Sequence, residues 1–577
     1  MESRGTTGNG SRRGRTATGA PTGGAEDAES GTHAGHGTHG ASGADGADPA
    51  NRTDTANRPA PASRTDTASR TDPTPGPGAP RDAHRSPRPT AATPPPRVPR
   101  WESGALAHAV TDPFGQGPLP WLRSSEQYLD DTGRAVPWYA DPDRGRSTRA
   151  PRTADDVHRQ IKGFVSNGPV APGESIDFHI TVDPPQQFLV DVYRIGHYAG
   201  HGAFKVTTSP RLSGIVQHPP LTAGRTVSCH HWWLSWRLQI PSYWAVGAYV
   251  AVLTTADGYR SHIPFTVRDD RAADLLLVLP DITWQAYNLY PEDGRTGASL
   301  YHAWDEEGRL LGEDSAATTL SFDRPYAGSG LPLHVGHAYD FIRWAERYGY
   351  DLAYADTRDL HAGRIDPTTY RGLVFPGHDE YWSVPMRRAA EAARDRGTSL
   401  VFLSANTLYW QVELGPSPSG AENRLLTCRK RRGPGRSALW READRAEQQL
   451  LGIQYEGRVP EPHPLVVRNA DHWLWEATGA GEGDELPGLV AGEADRYFPR
   501  TPLPEHRRRI LLAHSPYPDG AGVLRHQETS LYRAPSGALV FASGTFAWSP
   551  ALDRPGHADP RIQRATANLL DRICKRD

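Results

Sequence analysis

TTYRGLVFPGHDEYWSVPMRRAAEAARDRGTSLVFLSANTLYW, from Thr368 to Trp410, is the stretch that decides the fold. GLVF is apolar throughout and stops at Pro376, as a strand buried on both faces does. SVPMRRAAEAARDRG has the spacing of an amphipathic helix and ends at Gly397. TSLVFLSANTLYW brings the next apolar run and its loop. Strand, helix, strand is a βαβ crossover and predicts a mostly parallel sheet with helices on its faces. ADLLLVLP from Ala273 reads as another such strand, and YDLAYADT as a further one after a helix around Phe341 to Gly349. In sheets of this kind ligands collect beyond the carboxyl ends of the strands, where GHDEYW and SANTLYW both fall.

Upstream, residues 159–270 change period. IDFHITV (from Ile176), FLVDVYRI (from Phe188), YVAVLTT (from Tyr249) and SHIPFTV (from Ser261) are short, partly alternating and bounded by Gly, Pro and Asp, which predicts a β-sandwich-like domain. Residues 106–158 form a lead-in with anchors at Trp121, Leu122, Tyr128 and Leu129. Residues 1–105 read as a disordered Pro/Gly/Thr-rich extension: alanines aside, their apolar side chains are Met1, Val98 and Trp101, too little to offset the entropy of ordering. Downstream of SANTLYW, an inserted lobe at about 411–500 opens with the basic run RKRRGPGR from Arg429. Then the sheet pattern resumes in RRILLAHSP, ETSLYRAP and GALVFASG, the last two joined as a hairpin through SG, and RIQRATANLLDRICKR closes the chain as a helix. The fold class expected is thus multidomain α/β plus β, with the catalytic domain at 271–577.

Composition narrows the function. At 577 residues the chain exceeds one hydrophobic core. A net charge of -3 offers no global attraction to nucleic acid or an anionic membrane surface. Cys229, Cys428 and Cys574 are far apart, so neither a disulfide framework nor a CxxC metal site is expected. No apolar run approaches the ~20 residues that span a bilayer, which together with the lack of a signal-like leader predicts a cytoplasmic protein without nucleic-acid or membrane partners. Standard catalytic fingerprints (GxSxG, Walker A, HExxH, GxGxxG in strand context) are missing.

With no nucleophile at a strand end, attention turns to a metal. Three stretches qualify: Gly377 to Trp382; Ser404, Ala405, Asn406, Tyr409 and Trp410; and His526 with Glu528, which alternate and face one side of a strand. Phenolates and carboxylates are hard donors that favour an oxophilic ion such as Fe(III), and a phenol with an ordinary pKa near 10 ionises at neutral pH only beside a strong positive centre. The plainer reading of each tyrosine is a packed aromatic with a satisfied hydroxyl.

Further motifs carry a family resemblance. VDVYRIGHYAGHG from Val190, WRLQIPSYWAVGAY from Trp236, WQAYNLY from Trp284, GHDEYW, FLSANTLYW and VFASGTFAWSPAL from Val540 occur in the order seen in the large (beta) subunit of N,N-dimethylformamidase, which the chain resembles over roughly 160 to 575. The resemblance implies a class I glutamine-amidotransferase-like (flavodoxin-like) domain that lacks the catalytic cysteine. It implies a mononuclear iron, Fe(3+), held by two tyrosines and one glutamate. Carried over by motif, the ligands are Tyr381, Tyr409 and Glu528, with Glu493 or Glu380 next in line should Glu528 be misplaced. His526 falls beside Glu528 as general acid, or as the group that only orients it. Asn406 and His378 are donors to the substrate oxygen or to a ligand, or else pin their loops. Trp284, Tyr287 and Asn288 are pocket candidates at the same sheet edge. The activity implied is hydrolysis of a small N-substituted amide by metal-activated water, with a small accessory subunit and homo-oligomer as partners. The alternative is a non-catalytic protein that binds carbohydrate or peptide on a degenerate amidotransferase-like scaffold.

Overall fold

The structure, a computed structural model, describes residues 152–269, 271–430 and 438–574, with the backbone of two short strands, Tyr128–Leu129 and Ala135–Val136. Everything below belongs to the unit Ala92–Asp577. The expected extension, most of the lead-in and residues 431–437 of the basic run lie outside the described residues. Among the described residues strands dominate, in several sheets of which the largest is mixed.

Seven strands, β1 (Lys162–Val165), β2 (Ser175–Thr181), β3 (Gln187–Ile195), β4 (Ala203–Thr208), β5 (Trp236–Gln239), β6 (Gly247–Thr255) and β7 (Tyr259–Val267), build two facing sheets. One has the order β5-β2-β1; the other runs β7-β6-β3-β4. Ile176, Phe178 and Ile180 alternate inward from β2 and meet Val190, Val192, Ala251 and Leu253 across a common core. The sandwich is not solvated on its other side. Ile195, Ala248, Val250 and Val252 pack into a second core with Phe341, Ile342, Trp344 and Ala345. That double burial explains why β3 and β6 alternate so incompletely in sequence.

The large sheet contains β8 (Leu275–Leu279), β9 (Leu352–Asp356), β10 (Gly372–Phe375), β12 (Ser399–Phe402), β17 (Arg508–Pro518), β18 (Leu524–Arg533) and β19 (Leu539–Ala542). Its order is β9-β8-β10-β12-β19-β18-β17. The first five strands are parallel, and β18 and β17 extend the edge antiparallel. The expected hairpin is the β18–β19 pair, turning at Gly537 with a φ of 98°. Helices α1 (Asp281–Tyr287), α2 (Val335–Arg347), α3 (Thr357–Ala362), α4 (Val384–Asp395) and α5 (Pro560–Cys574) make the connections. α4 starts where expected: the Ser383 hydroxyl accepts from the Met386 amide, Pro385 sits in the first turn, and Gly397 stands just past the end with a φ of 104°. α2 begins earlier than its apolar pattern shows, at Val335 after a left-handed His334. α1 and α3 escape sequence reading because they are short and almost wholly buried, which leaves no amphipathic period.

The stretch expected as a lobe supplies β13 (Trp410–Gly415), β14 (Leu425–Thr427), β15 (Gln454–Val466) and β16 (Glu485–Arg496). β13 pairs in parallel with β11 (Tyr381–Ser383), and β15 pairs antiparallel with β16.

A buried ion pair ties the sandwich to α2 of the large-sheet domain. Arg194 of β3 donates to both carboxylate oxygens of Glu346 in α2 at 2.6 and 3.2 Å, and Tyr354 adds a bond at 2.9 Å. Removing one partner leaves a charge buried without compensation. Glu346→Ala should therefore destabilise the chain by about 3–5 kcal/mol in urea unfolding; a loss below about 1 kcal/mol would show that the pair is solvated like a surface bridge.

Candidate active site

Loops leaving the carboxyl ends of β8, β10 and β12 build the site. β8 passes through Pro280 into α1, whose last residue is Tyr287. β10 ends at Phe375 and runs through Gly377, His378, Asp379 and Glu380 into β11. β12 leads to Asn406 and Leu408, both at positive φ (52° and 63°). The last two loops are zipped together. Leu408 N donates to the Asp379 carbonyl at 3.0 Å, while Tyr409 N and Trp410 N both donate to the Glu380 carbonyl at 2.9 and 3.0 Å.

His378 and Glu380 alternate along extended chain and face the same way. One oxygen of Glu380, Oε2, accepts hydrogen bonds from Tyr287 Oη (2.7 Å) and Tyr301 Oη (2.6 Å), and the two hydroxyls stand 3.1 Å apart. His378 Nε2 lies 3.0 Å from Tyr287 Oη and 3.3 Å from Glu380 Oε2. Three oxygens and an imidazole thus meet at one point, with Glu380 and His378 each 2% exposed. The Lys430 ammonium sits 3.4 Å above the Tyr301 ring and 4.8 Å from that of Trp410, and is paired with Glu313 at 2.9 Å.

Burial would raise the Glu380 carboxyl, yet the His378 hydrogen bond and the charges of His378 and Lys430 hold it below its ordinary value. Burial would lower His378, yet the hydrogen bond to Glu380 and the charges of Glu493 and Glu380 raise it. Both Tyr287 and Tyr301 are raised, by burial first and by the Glu380 charge second. Another carboxyl faces the group from β16. Glu493 is pushed up to about 7, chiefly by burial, with His378 and Asn406 opposing and Glu380 reinforcing. Its Oε1 accepts from Tyr455 Oη at 3.3 Å, and its Oε2 makes no hydrogen bond. Phe546 forms a wall, its ring 4.5 Å from that of His378 and 5.7 Å from that of His334. Gly492 makes room for that ring: a Cβ there would stand 2.9 Å from it, and the φ of 71° already favours glycine.

The ligand set expected from sequence is not brought together. Tyr381 is buried and close, its ring 6.3 Å from that of Tyr301, but its hydroxyl makes no hydrogen bond. Its ring stands edge-on to those of both Tyr287 and Tyr301, 6.4 and 6.3 Å away, so it walls the centre. Tyr409 packs edge-on to Trp410 and Tyr455 beneath the Arg441 guanidinium. Glu528 lies on β18, its carboxylate taken by the Tyr497 amide (2.7 Å) and His514 Nδ1 (2.8 Å). His526 stacks on His514 at 4.5 Å. His378 is in the centre, and Asn406 stands beside Glu493 with its amide donating to Asp495 at 2.8 Å. Tyr287 and Glu380 come from positions named as pocket and fallback residues. Tyr301 gives no local signal; it lies in irregular chain and reaches Tyr287 across 14 residues. No group of three or more His, Cys, Asp or Glu among the described residues is placed to hold a metal; the convergent set depends on tyrosine.

Residues 189–561 match the family described as N,N-dimethylformamidase beta subunit-like, C-terminal. The chain belongs to that family. The match spans β3 to the start of α5, so it takes in every residue of the tyrosine–carboxylate centre. No curated protein matches the chain. Among solved structures, a Paenibacillus sp. cycloisomaltooligosaccharide glucanotransferase complexed with cycloisomaltoheptaose aligns at 8% identity over 68% of this chain and 72% of that one. Its TM-score of 0.16 bears on neither fold nor function. No helix of the described residues is long and apolar enough to cross a membrane.

Asp495 supplies a pH signature. Burial pushes its carboxyl from 3.8 up to about 8 against the Asn406 amide that lowers it. A carboxyl raised in the folded chain favours folding while it is protonated in both states. That contribution is lost as pH rises from the unfolded value, about 4, through the folded one. Urea midpoints should therefore fall between pH 5 and pH 8, and Asp495→Asn should flatten the fall. An unchanged slope would mean that Asp495 is ionised in the folded chain.

Proposed function

We propose that the chain is an iron-dependent amidohydrolase of a small N-substituted amide, similar to N,N-dimethylformamidase, acting on carbon–nitrogen bonds of linear amides other than peptide bonds. One observation carries the reading: two phenols and one carboxylate converge on a single point, with both hydroxyl protons directed at one carboxylate oxygen. Two phenolates and a carboxylate balance a trivalent cation, and hard oxygen donors suit iron(III). Tyr287, Tyr301 and Glu380 fit the two-tyrosine, one-glutamate set that the family resemblance implies, and they replace Tyr381, Tyr409 and Glu528 in it.

Iron bound there would polarise an amide carbonyl and lower the pKa of water. The remaining work falls to the chain's own side chains. His378 holds Glu380 and Tyr287 in register, as a hydrogen-bonded neighbour of a ligand does. Glu493, with a pKa near operating pH and one free oxygen, takes the proton of the attacking water and returns it to the leaving amine. Asn406 beside it orients substrate or carboxyl. The apolar wall of Phe546 suits N-alkyl groups that need no hydrogen bond. For the scaffold, the parallel order β9-β8-β10-β12-β19 supports a flavodoxin-like, amidotransferase-like domain, and the β10 loop offers Gly377 and His378 where a nucleophilic cysteine would stand. The family is named for a subunit, which supports a small accessory partner.

The test is iron content with the visible spectrum of the purified chain. We expect roughly one iron per chain by the two-phenolate set, with a tyrosinate-to-iron charge-transfer band. Tyr287→Phe and Tyr301→Phe should each weaken or abolish the band and the iron, and Tyr381→Phe and Tyr409→Phe should keep both. Retention of iron and band in Tyr301→Phe, with loss in Tyr381→Phe, would overturn this ligand set. Glu493→Gln should retain iron and lower formate release from dimethylformamide by about 100-fold or more.

A further inference from the structure

The sandwich carries an apolar patch on its surface. Trp233 is 68% exposed, and Leu234, Ile215, Val216 and Leu221 are each between 42% and 50% exposed. These residues come from two loops that one buried side chain binds together. Gln217, 1% exposed, donates through Nε2 to the Trp233 carbonyl at 2.9 Å and accepts from the Trp233 amide at 3.0 Å. Beside it the Trp232 indole donates to the His218 carbonyl at 2.9 Å. Ile215 and Val216 therefore lie next to Trp233 and Leu234 in one fixed surface, and Leu221 opens a short strand, Leu221–Ala223, that is exposed throughout. A tryptophan held outward in such a group marks a contact surface, unlike apolar side chains scattered singly.

The described body of the chain begins close to this patch. Arg152 donates to the Asp257 carbonyl, the Asp257 amide donates to Gln186 Oε1 at 3.2 Å, and the Gly214 amide, one residue before Ile215, donates to the Gln186 carbonyl at 2.8 Å. The connection from Tyr139 to Arg152 can span roughly 45 Å when extended, ample for that path. Before it, residues 113–139 hold Phe114, Trp121, Leu122, Tyr128, Leu129 and Trp138. The same stretch contains the pairing of Tyr128–Leu129 with Ala135–Val136. A two-stranded hairpin is marginal in water and persists when it packs on something else. Charge matches as well. Glu126, Asp130 and Asp131 flank Tyr128 and Leu129, whereas residues 211–235, which carry the patch, hold Arg211, Arg225 and three histidines but no carboxylate. A second copy in that place would set two such basic stretches against each other across a two-fold axis.

We propose that residues 113–139 dock on the sandwich of their own chain at Ile215, Val216, Trp233 and Leu234. The inference does not depend on the proposed hydrolase activity, because the patch contains no residue of the tyrosine–carboxylate centre. Trp233 is the anchor, the segment supplies the apolar side chains that cover it, and its three carboxylates face the basic stretch around Arg211 and Arg225.

The experiment is limited trypsin digestion of the full chain, with each cut located by mass. Arg123 and Arg134 lie inside the docking segment, and Arg144, Arg146 and Arg149 lie in the connection to the sandwich. Docking should slow cleavage at Arg123 and Arg134 by about tenfold or more relative to the three connection sites. The double variant Trp233→Ser/Leu234→Ser should abolish that difference while the circular dichroism of the chain stays unchanged. Asp130→Lys/Asp131→Lys should reduce it too, and because that variant leaves the sandwich untouched it remains informative if the first does not fold. Equal cleavage at all five sites in the parent chain, or protection that survives in both variants, would overturn the proposal. Protection lost on dilution of the parent chain, together with a dimer that dissociates in sedimentation, would assign the patch to a second copy and overturn it as well.

Discussion

A carboxylate 2% exposed, with no guanidinium beside it, sets the terms for the site. Burying Glu380 is unfavourable unless hydrogen-bond donors compensate it. Here two phenol hydroxyls and an imidazole supply them, each from a different part of the chain. The arrangement forces the rest: Tyr287 must end α1, Tyr301 must return from irregular chain, and His378 must stand two residues before the carboxylate it contacts. The Glu380 carbonyl needs partners as well, and the Tyr409 and Trp410 amides provide them, which fixes the β12 loop against the β10 loop.

Sheet order makes this possible. β8 pairs with β10, and β10 with β12, all parallel, so three strand ends open on one edge and their loops can meet without long connections. The antiparallel extension does different work. β17 and β18 hold Glu528 and His526 in a pairing of their own with His514. β16, bridged through Ala494 to Thr545, presents Glu493 to the centre from the other side. A carboxyl pushed up to about 7 beside one held low is the pairing of environments that the proposed division into proton carrier and ligand requires.

Much of the scaffold was legible in the chain itself. LLLVL, GLVF and SLVF are apolar at every position because both faces of their strands are buried, and that signature is local. The boundaries of α4 were legible through Ser383, Pro385 and Gly397, whose roles are fixed by backbone chemistry. α1 was not, since six of its seven residues are buried and no period remains. The site was legible only as a chemistry. The resemblance led to two tyrosines and a glutamate, but 22 tyrosines compete for two places. What brings the Tyr287 and Tyr301 hydroxyls to Glu380 is where one helix ends and one irregular loop returns, which depends on contacts between residues distant in sequence. A motif as compact as GHDEYW drew attention to its tyrosine, whereas alternation along the extended segment hands the site to His378 and Glu380 instead.

α1 runs from the sandwich side of the large sheet to the tyrosine–carboxylate centre. It is only seven residues long, too short to be stable by its own hydrogen bonds, so its position is set by what it touches. At its start Asp281 is fixed by Arg358 and Thr357 on α3. Trp284 in its middle lines a cavity against the sandwich, and Tyr287 at its end donates to Glu380. A helix this short moves as one piece, so a shift at its start carries through to the phenol at its end. The oxygen that Tyr287 contributes to the centre is therefore fixed in part by the Asp281–Arg358 pair at the other end of α1, and the geometry of the site depends on that packing as much as on the loops that carry it.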